Sequence, residues 1–400
     1  MRKVKYIILG AGPTGLAIAH TLLDFGVPRN EIAVLEKEKI SGGLCRSVEV
    51  DGAPLDIGGG HFLDIRQKQV LDFVFKFMPE HEWKKYLRVA KILLRGRYID
   101  HPLEGNLWQM AVEDQIDYIE SIVKAGSVGG EPMPESFEEW VCWKLGRKIA
   151  EDYMLPYNRK IWSTNLEKLG TYWLYKLPNV SFRETLQSCL EGKACGSLPA
   201  HGTFLYPKEY GYGEVWRRMG VALGDCLIVG TPIVKIEIEK RIINDCIQAE
   251  TIISTIPWTL WPKVSVVPDH IRMRINELMH IAIDVDYLPK NLETNAHWIY
   301  EPKEDISYHR MLLRHNFCSN SRGYWTETNS KRSGPVKGFR HRNDYAYPVN
   351  TKNKPESIRA IMEWAKNYNI IGAGRWGTWE HMNSDVAVLE GIKLAKRLLQ

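Results

Sequence analysis

Three glycines spaced Gly10-x-Gly12-x-x-Gly15 stand between a short apolar run and a stretch of helical periodicity. Each has a separate physical use: Gly10 permits a tight turn, Gly12 lets the backbone approach a pyrophosphate, and Gly15 lets helix and strand pack closely. The N–H groups at such a helix start would receive phosphate oxygens. Glu36, twenty-one residues beyond Gly15, can then accept hydrogen bonds from a ribose. A second glycine pair, Gly42-Gly43, precedes Arg46, and a third cluster follows in DIGGGHF, Asp56 to Phe62. Glycines this dense suggest backbone packed against an extended planar ligand. Ordinary hairpin turns would also explain the second and third clusters. The fingerprint is common to NAD and FAD sites and does not choose between them.

These residues need elements to hold them. Val4 to Leu9 is predicted as a strand, the residues up to Gly26 as a helix, and Ile32 to Leu35 as a second strand ending at Glu36. Asp51-Gly52 marks a hairpin turn. From Gln67 to Leu190 aromatics and charges recur at helical spacing, which predicts a mostly helical lobe. Trp140, Trp143, Tyr153, Tyr157 and Trp162 there are core packing by default, with some facing a pocket. Gly202 to Trp216 leads into a helix, and the following stretch supplies three short strands, the last ending at Ser254-Thr255-Ile256-Pro257. Arg274 to Tyr347 alternates as a second, antiparallel sheet would, and 329–343 reads as a mobile loop rich in Lys, Arg, Gly and Ser. A strand, a Gly-Arg turn at Gly374-Arg375 and a helix close the chain, placing another helix N-terminus at the ligand. The expected organisation is α/β: a discontinuous Rossmann-like nucleotide domain (1–75, 195–265, 365–400), a mainly helical insertion (76–194) and an antiparallel β-sheet substrate domain (266–364).

With 400 residues, 44% apolar and 25% charged, the chain exceeds what one core usually serves, and disorder and collagen are excluded. The excess of 53 basic over 48 acidic residues is dispersed, without the basic run of a nucleic-acid tail, so acidic small molecules are the partners left open. No apolar run suits a membrane helix. The opening MRKVKYIILGAG resembles a signal peptide, but its glycine turn favours a first strand. Seven cysteines, an odd number without a C-x-x-C pair, predict reduced thiols, a cytoplasmic setting and no metal site.

Taken together, the fingerprint, Glu36, Gly42-Gly43, the Asp56–His61 cluster, the STIP strand and the terminal Gly-Arg element resemble the superfamily of FAD-dependent amine oxidases and UDP-galactopyranose mutases. SFEEW, PYNRKIW, TFLYPKEYGYGEVW, HWIYEPKEDISYHR, YAYPV and GRWGTWEHMNSD, in that order along nearly the whole chain, resemble the mutases, particularly their eukaryotic-type branch. The resemblance implies FAD that is active when reduced by NAD(P)H or another reductant, and a nucleotide-sugar substrate. It also implies that a nitrogen of the reduced flavin attacks the anomeric carbon, displaces the nucleoside diphosphate and lets the ring reclose as a furanose, with no net redox.

By matched position, the resemblance assigns Arg310 to clamping the diphosphate and Tyr300 and Tyr347 to contacting it. His61 falls in the loop under the flavin, where it tunes the reduced cofactor, Asn383 and Asp385 fall near the sugar and the flavin, and His381 and Asn383 count among the catalytic candidates. Cofactor contacts fall on Gly10, Gly12, Pro13, Thr14, Gly15, Glu36, Lys37, Gly43, Leu44, Gly59, Gly60, His61, Val234, Gly374, Arg375, Asn383, Ser384 and Asp385. Substrate contacts fall on Tyr157, Asn158, Trp162 and Lys176 as well. Solvated or core roles are the plain alternatives for Arg310, Tyr300 and Tyr347, and turn capping for His61.

The chain also departs from that pattern. WLYKLP stands where a second diphosphate arginine is usual, leaving Lys176, a point charge without the bidentate fork. His381 replaces a tyrosine. His101, Leu103 and Glu104 replace the aromatics and amide usual for uracil. A homo-oligomer is admitted, and no nucleic-acid partner is expected. An FAD-dependent oxidase or desaturase of the same superfamily is the alternative activity, and a catalytically silent flavin-binding scaffold the non-enzymatic one.

Overall fold

The computed structural model describes residues 1–174, 179–196 and 202–400. Its first sheet is seven-stranded and assembled from distant stretches. Arg2–Leu9 lies parallel between Ile32–Leu35 and Ile247–Ser254, with Leu9 opposite both Leu35 and Ser254. Leu227–Ile228 pairs in parallel with Ile32–Leu35, and Ile370–Gly372 with Ile247–Ser254. Ile236–Glu237 and Ile242–Ile243 add two antiparallel strands. Ile32–Leu35 is buried along its whole length, which explains its unbroken apolar run.

The helix Pro13–Asp24 begins at Gly12, with Pro13 at its first position where no N–H is needed. A Cβ on Gly15 would lie 2.1 Å from the Gly10 carbonyl oxygen, so only glycine allows this helix to sit on its strand. On its other side it packs against the last helix, Ser384–Arg397.

The second seven-stranded sheet runs in the order Arg340–Pro348, His280–Leu288, Tyr324–Asn329, Arg310–Leu312, Trp298–Tyr300, Ala90–Leu94, Arg97–Asp100. Its pairings are antiparallel except for the parallel pair of Trp298–Tyr300 with Ala90–Leu94. A small sheet of Leu63–Asp64, Thr203–Pro207 and Trp83–Leu87 links the two halves, and Ser47–Val50 and Ala53–Asp56 form the expected hairpin. Its turn residues Asp51 and Gly52 have φ of 55° and 70°, as a type I′ turn requires.

Three sequence expectations are corrected. The stretch 67–190 is helical in Lys68–Phe75, Val112–Val123, Phe137–Ile149, Leu155–Trp162 and Phe182–Glu191, but it also contains the strands Trp83–Leu87, Ala90–Leu94 and Arg97–Asp100. The expected loop 329–343 ends at Arg340, because Arg340 and Arg342 alternate along a strand and pair with Asp286 and Asp284 of its neighbour. The Gly-Arg turn leads first into a single turn, Gly374–Gly377, and the long helix starts only at Ser384. Among the described residues no helix is long and apolar enough to cross a membrane.

Candidate functional site

A cavity of about 900 Å³ opens where the first sheet ends, within the size range of cofactor pockets. Gly10, Gly12, Pro13 and Thr14 form one wall, Glu36 and Lys37 another, and Gly43, Leu44, Cys45 and Arg46 a third. Gly42 donates its N–H to the Ala11 carbonyl at 2.8 Å, which brings the second glycine pair onto the first. Nothing lies within 4 Å of a Cβ built on Gly12, so backbone is open to a ligand at that point. Glu36 is buried at the end of its strand and accepts the Ala11 and Glu38 N–H groups at 2.8 and 3.0 Å.

Toward the second sheet the wall continues with His61, Gly374, Arg375 and Ser384. Burial, with Arg375 adding to it, pulls the His61 imidazole down to about 4, so it is neutral at pH 7. Its loop is anchored by Asp56, which is fully buried and accepts from Ser47 Oγ, Tyr206 Oη and the Tyr212 N–H. Burial raises the Asp56 carboxyl to about 7. Arg375 donates to the carbonyls of Ala346 and Met382 and lies 5.7 Å from the Tyr347 ring.

A row of polar side chains crosses the second sheet. Tyr300, Arg310 and Glu327 stand opposite one another on three adjacent strands. Arg310 donates to Glu327 Oε2 at 2.6 and 3.1 Å and to Tyr347 Oη at 3.3 Å. Burial alone would raise the Glu327 carboxyl, but the charge of Arg310 and the bond from His309 outweigh it and hold it well below the usual carboxylate range. Tyr157 meets the Tyr300 ring edge-on at 5.4 Å, and His381 the Tyr347 ring at 5.0 Å. Burial raises the Tyr157 and Tyr347 hydroxyls, so both are protonated donors at neutral pH.

The structure thus brings Tyr157, Tyr300, Arg310, Tyr347, His381, His61 and Arg375 into one region, and Gly10, Gly12, Pro13, Thr14, Glu36, Lys37, Gly43, Leu44, Gly374 and Ser384 onto the cavity wall. Other candidates fall elsewhere. Gly15 packs on Gly10, and Gly59 and Gly60 face Glu327, with Gly60 donating its N–H to Oε1 at 2.9 Å. Asn383 stands at the N-cap position of the last helix and Asp385 is buried in its first turn, neither lining the cavity. Val234 is 66% exposed and gives its N–H to Asn244 Oδ1, while Thr231, Pro232 and Ile233 just before it do line the wall. Asn158 bonds Met154 O and Trp162 Nε1, so this pair holds its own helix together. Lys176 lies outside the described residues.

Two site residues escaped the sequence reading. Glu327 is an acid in the otherwise polar run YWTETN, and only strand pairing reveals that it is buried against Arg310. Arg88 carried no signal, since Trp298 and Tyr300, which bring it to the site, lie over two hundred residues away. His101 meets the Tyr300 ring at 4.9 Å, and Glu104, three residues on, is buried, which raises its carboxyl to about 7.

Residues 8–77 match the family described as NAD(P)-binding Rossmann-like domain. Over 55 residues, 14% of this chain, the sequence is 44% identical to an uncharacterised protein in the nifH2 3′ region of Methanothermococcus thermolithotrophicus. Over 117 residues, 29% of this chain, it is 32% identical to putrescine oxidase from Kocuria rosea. These matches span about half of the first relative and about a quarter of the second. Among solved structures, reduced UDP-galactopyranose mutase matches 99% of this chain and 94% of its own at a TM-score of 0.88 and 20% identity. Putrescine oxidase bound to putrescine matches 99% of both chains at 0.61 and 15%. The chain therefore has a mixed α/β fold with a Rossmann-like domain, similar to the folds of UDP-galactopyranose mutase and putrescine oxidase.

Proposed function

We propose that this chain is a flavin-dependent mutase that interconverts the pyranose and furanose forms of a nucleotide-activated hexose. The observation that carries this reading is the cationic, hydroxyl-rich row of Arg310, Tyr300 and Tyr347 beside the dinucleotide-sized cavity. An anionic diphosphate suits that surface, whereas an amine substrate would meet Arg310 and Arg375 with like charge. The motif set along the chain favours the eukaryotic-type branch of the mutases.

The residues present fit FAD. Gly10, Gly12 and the start of Pro13–Asp24 would hold the pyrophosphate, Glu36 the ribose, and His61 with Arg375 the flavin end. When bound and reduced, the flavin supplies a nucleophilic ring nitrogen to the sugar's anomeric carbon. Arg310, kept charged and aimed by Glu327, pairs with the diphosphate oxygens as charge builds on the leaving group. The protonated Tyr347 hydroxyl adds a donor beside it. Neutral His61 leaves the flavin end without an additional positive charge. The buried aromatics Trp298 and Tyr153 exclude water from this side of the site.

The deciding experiment incubates protein reduced with dithionite with UDP-, GDP- and dTDP-hexoses and detects furanose by chromatography. Turnover of one of them only in the reduced state is the expected result. Amine-dependent release of hydrogen peroxide, without furanose from any hexose, would replace this reading with the oxidase.

A further inference from the structure

We propose that Arg88 completes the anion site by acting through Tyr300; this rests on the mutase reading above. Arg88 sits between the strands Trp83–Leu87 and Ala90–Leu94, with its N–H bonded to the Gly202 carbonyl. Its guanidinium lies 4.7 Å from the Trp298 ring centre, and Nη2 donates to Tyr300 Oη at 3.1 Å. Trp298 Nε1 donates to the same oxygen at 3.0 Å. A phenolic oxygen that accepts two hydrogen bonds has both lone pairs engaged, and its own O–H is left only to donate. Among the described residues no protein acceptor for that hydrogen is found. Tyr300 stands directly opposite Arg310, so the hydrogen is presented in the row that holds the other cation.

Arg88 is thus a positioning residue. It fixes Tyr300 as a donor toward an anionic oxygen, and the chemistry recognised is that of a nucleoside diphosphate. The cation comes from the turn between two strands inside the stretch 67–190, far in sequence from WLYKLP, where the resemblance places a second arginine.

A double-mutant cycle tests this on the flavin-loaded protein, with UDP and GDP binding measured by calorimetry. Arg88→Met keeps an apolar stack on Trp298 and is expected to weaken the tighter of the two by about tenfold or more. In a Tyr300→Phe background the same substitution is expected to cost less than about threefold. Equal losses in both backgrounds, or no loss in either, would overturn the proposal. If the wild type binds neither diphosphate, the mutase reading itself fails, an outcome distinct from an uncoupled Arg88. Should Arg88→Met lose its flavin spectrum, Arg88→Lys is compared in the same two backgrounds under the same criterion.

Discussion

One oxygen of Glu327 accepts two hydrogen bonds from Arg310 while the other holds the Gly60 amide, so a single buried carboxylate ties the cationic row to the loop that carries His61. A Cβ on Gly59 would fall 2.4 Å from that same carboxylate, which is why the loop is built from glycine here. The two sides of the site, one facing the cavity and one facing the proposed substrate, are therefore set by one side chain.

Removing that side chain leaves a buried guanidinium without its counter-charge. Glu327→Ala is expected to lower unfolding free energy by about 3–5 kcal/mol. Chemical denaturation measures it, and a loss under about 1 kcal/mol would show the pair to be dispensable.

Arg310→Ala acts on the reaction more than on binding of the cofactor. With diphosphate charge unpaired as the leaving group departs, kcat/KM is expected to fall by about 2–4 kcal/mol, roughly thirtyfold to a thousandfold. Near-unchanged turnover in a variant with an unaltered flavin spectrum would remove Arg310 from its assigned place.

Gly12 and Gly15 separate cofactor binding from folding. Gly12→Ala has open space in the protein and an ordinary φ, so cofactor-free stability should be unchanged, while flavin affinity falls by about 1–3 kcal/mol as the methyl meets the pyrophosphate. Gly15→Ala should destabilise the cofactor-free chain as well, by about 1–3 kcal/mol, because its Cβ would collide with backbone. Equal melting curves for the two variants without cofactor would contradict the geometry.

His61 provides a pH signature. An imidazole lowered to about 4 on folding binds fewer protons than its unfolded counterpart, whose value is about 6.5. Its contribution to stability is complete above the unfolded value and declines as pH falls toward 4. In the cofactor-free protein, the His61 ring proton should show no titration step between pH 8 and 5 by NMR. A midpoint near 6.5 would place the ring in water.

The parallel sheet was readable because its strands are buried on both faces and its turn demands glycine at Gly10 and Gly15. The hairpin at Asp51-Gly52 was readable for the same reason of local backbone chemistry. What escaped depends on pairing between distant segments. Ala90–Leu94 looked like part of a helical lobe until Trp298–Tyr300 came alongside it. Arg340 and Arg342 looked like loop charges until Asp286 and Asp284 stood opposite. Val234 misses the cavity wall because Asn244, at φ 50°, turns the chain so that its side chain takes the Val234 N–H. Glu327 and Arg88 share that origin, since Arg310 and Tyr300, which reveal them, come from other strands.

The position of Ile247–Ser254 between Arg2–Leu9 and Ile370–Gly372 bears on how the chain is born. The fingerprint strand is made well before Ile247–Ser254, its partner on one side, and Ile370–Gly372 is made later still. Loops that long slow closure and leave strand edges open meanwhile. Residues 1–77 expressed alone would carry the phosphate-binding turn with one edge of Arg2–Leu9 unpaired, a fragment prone to aggregate rather than a small binding module.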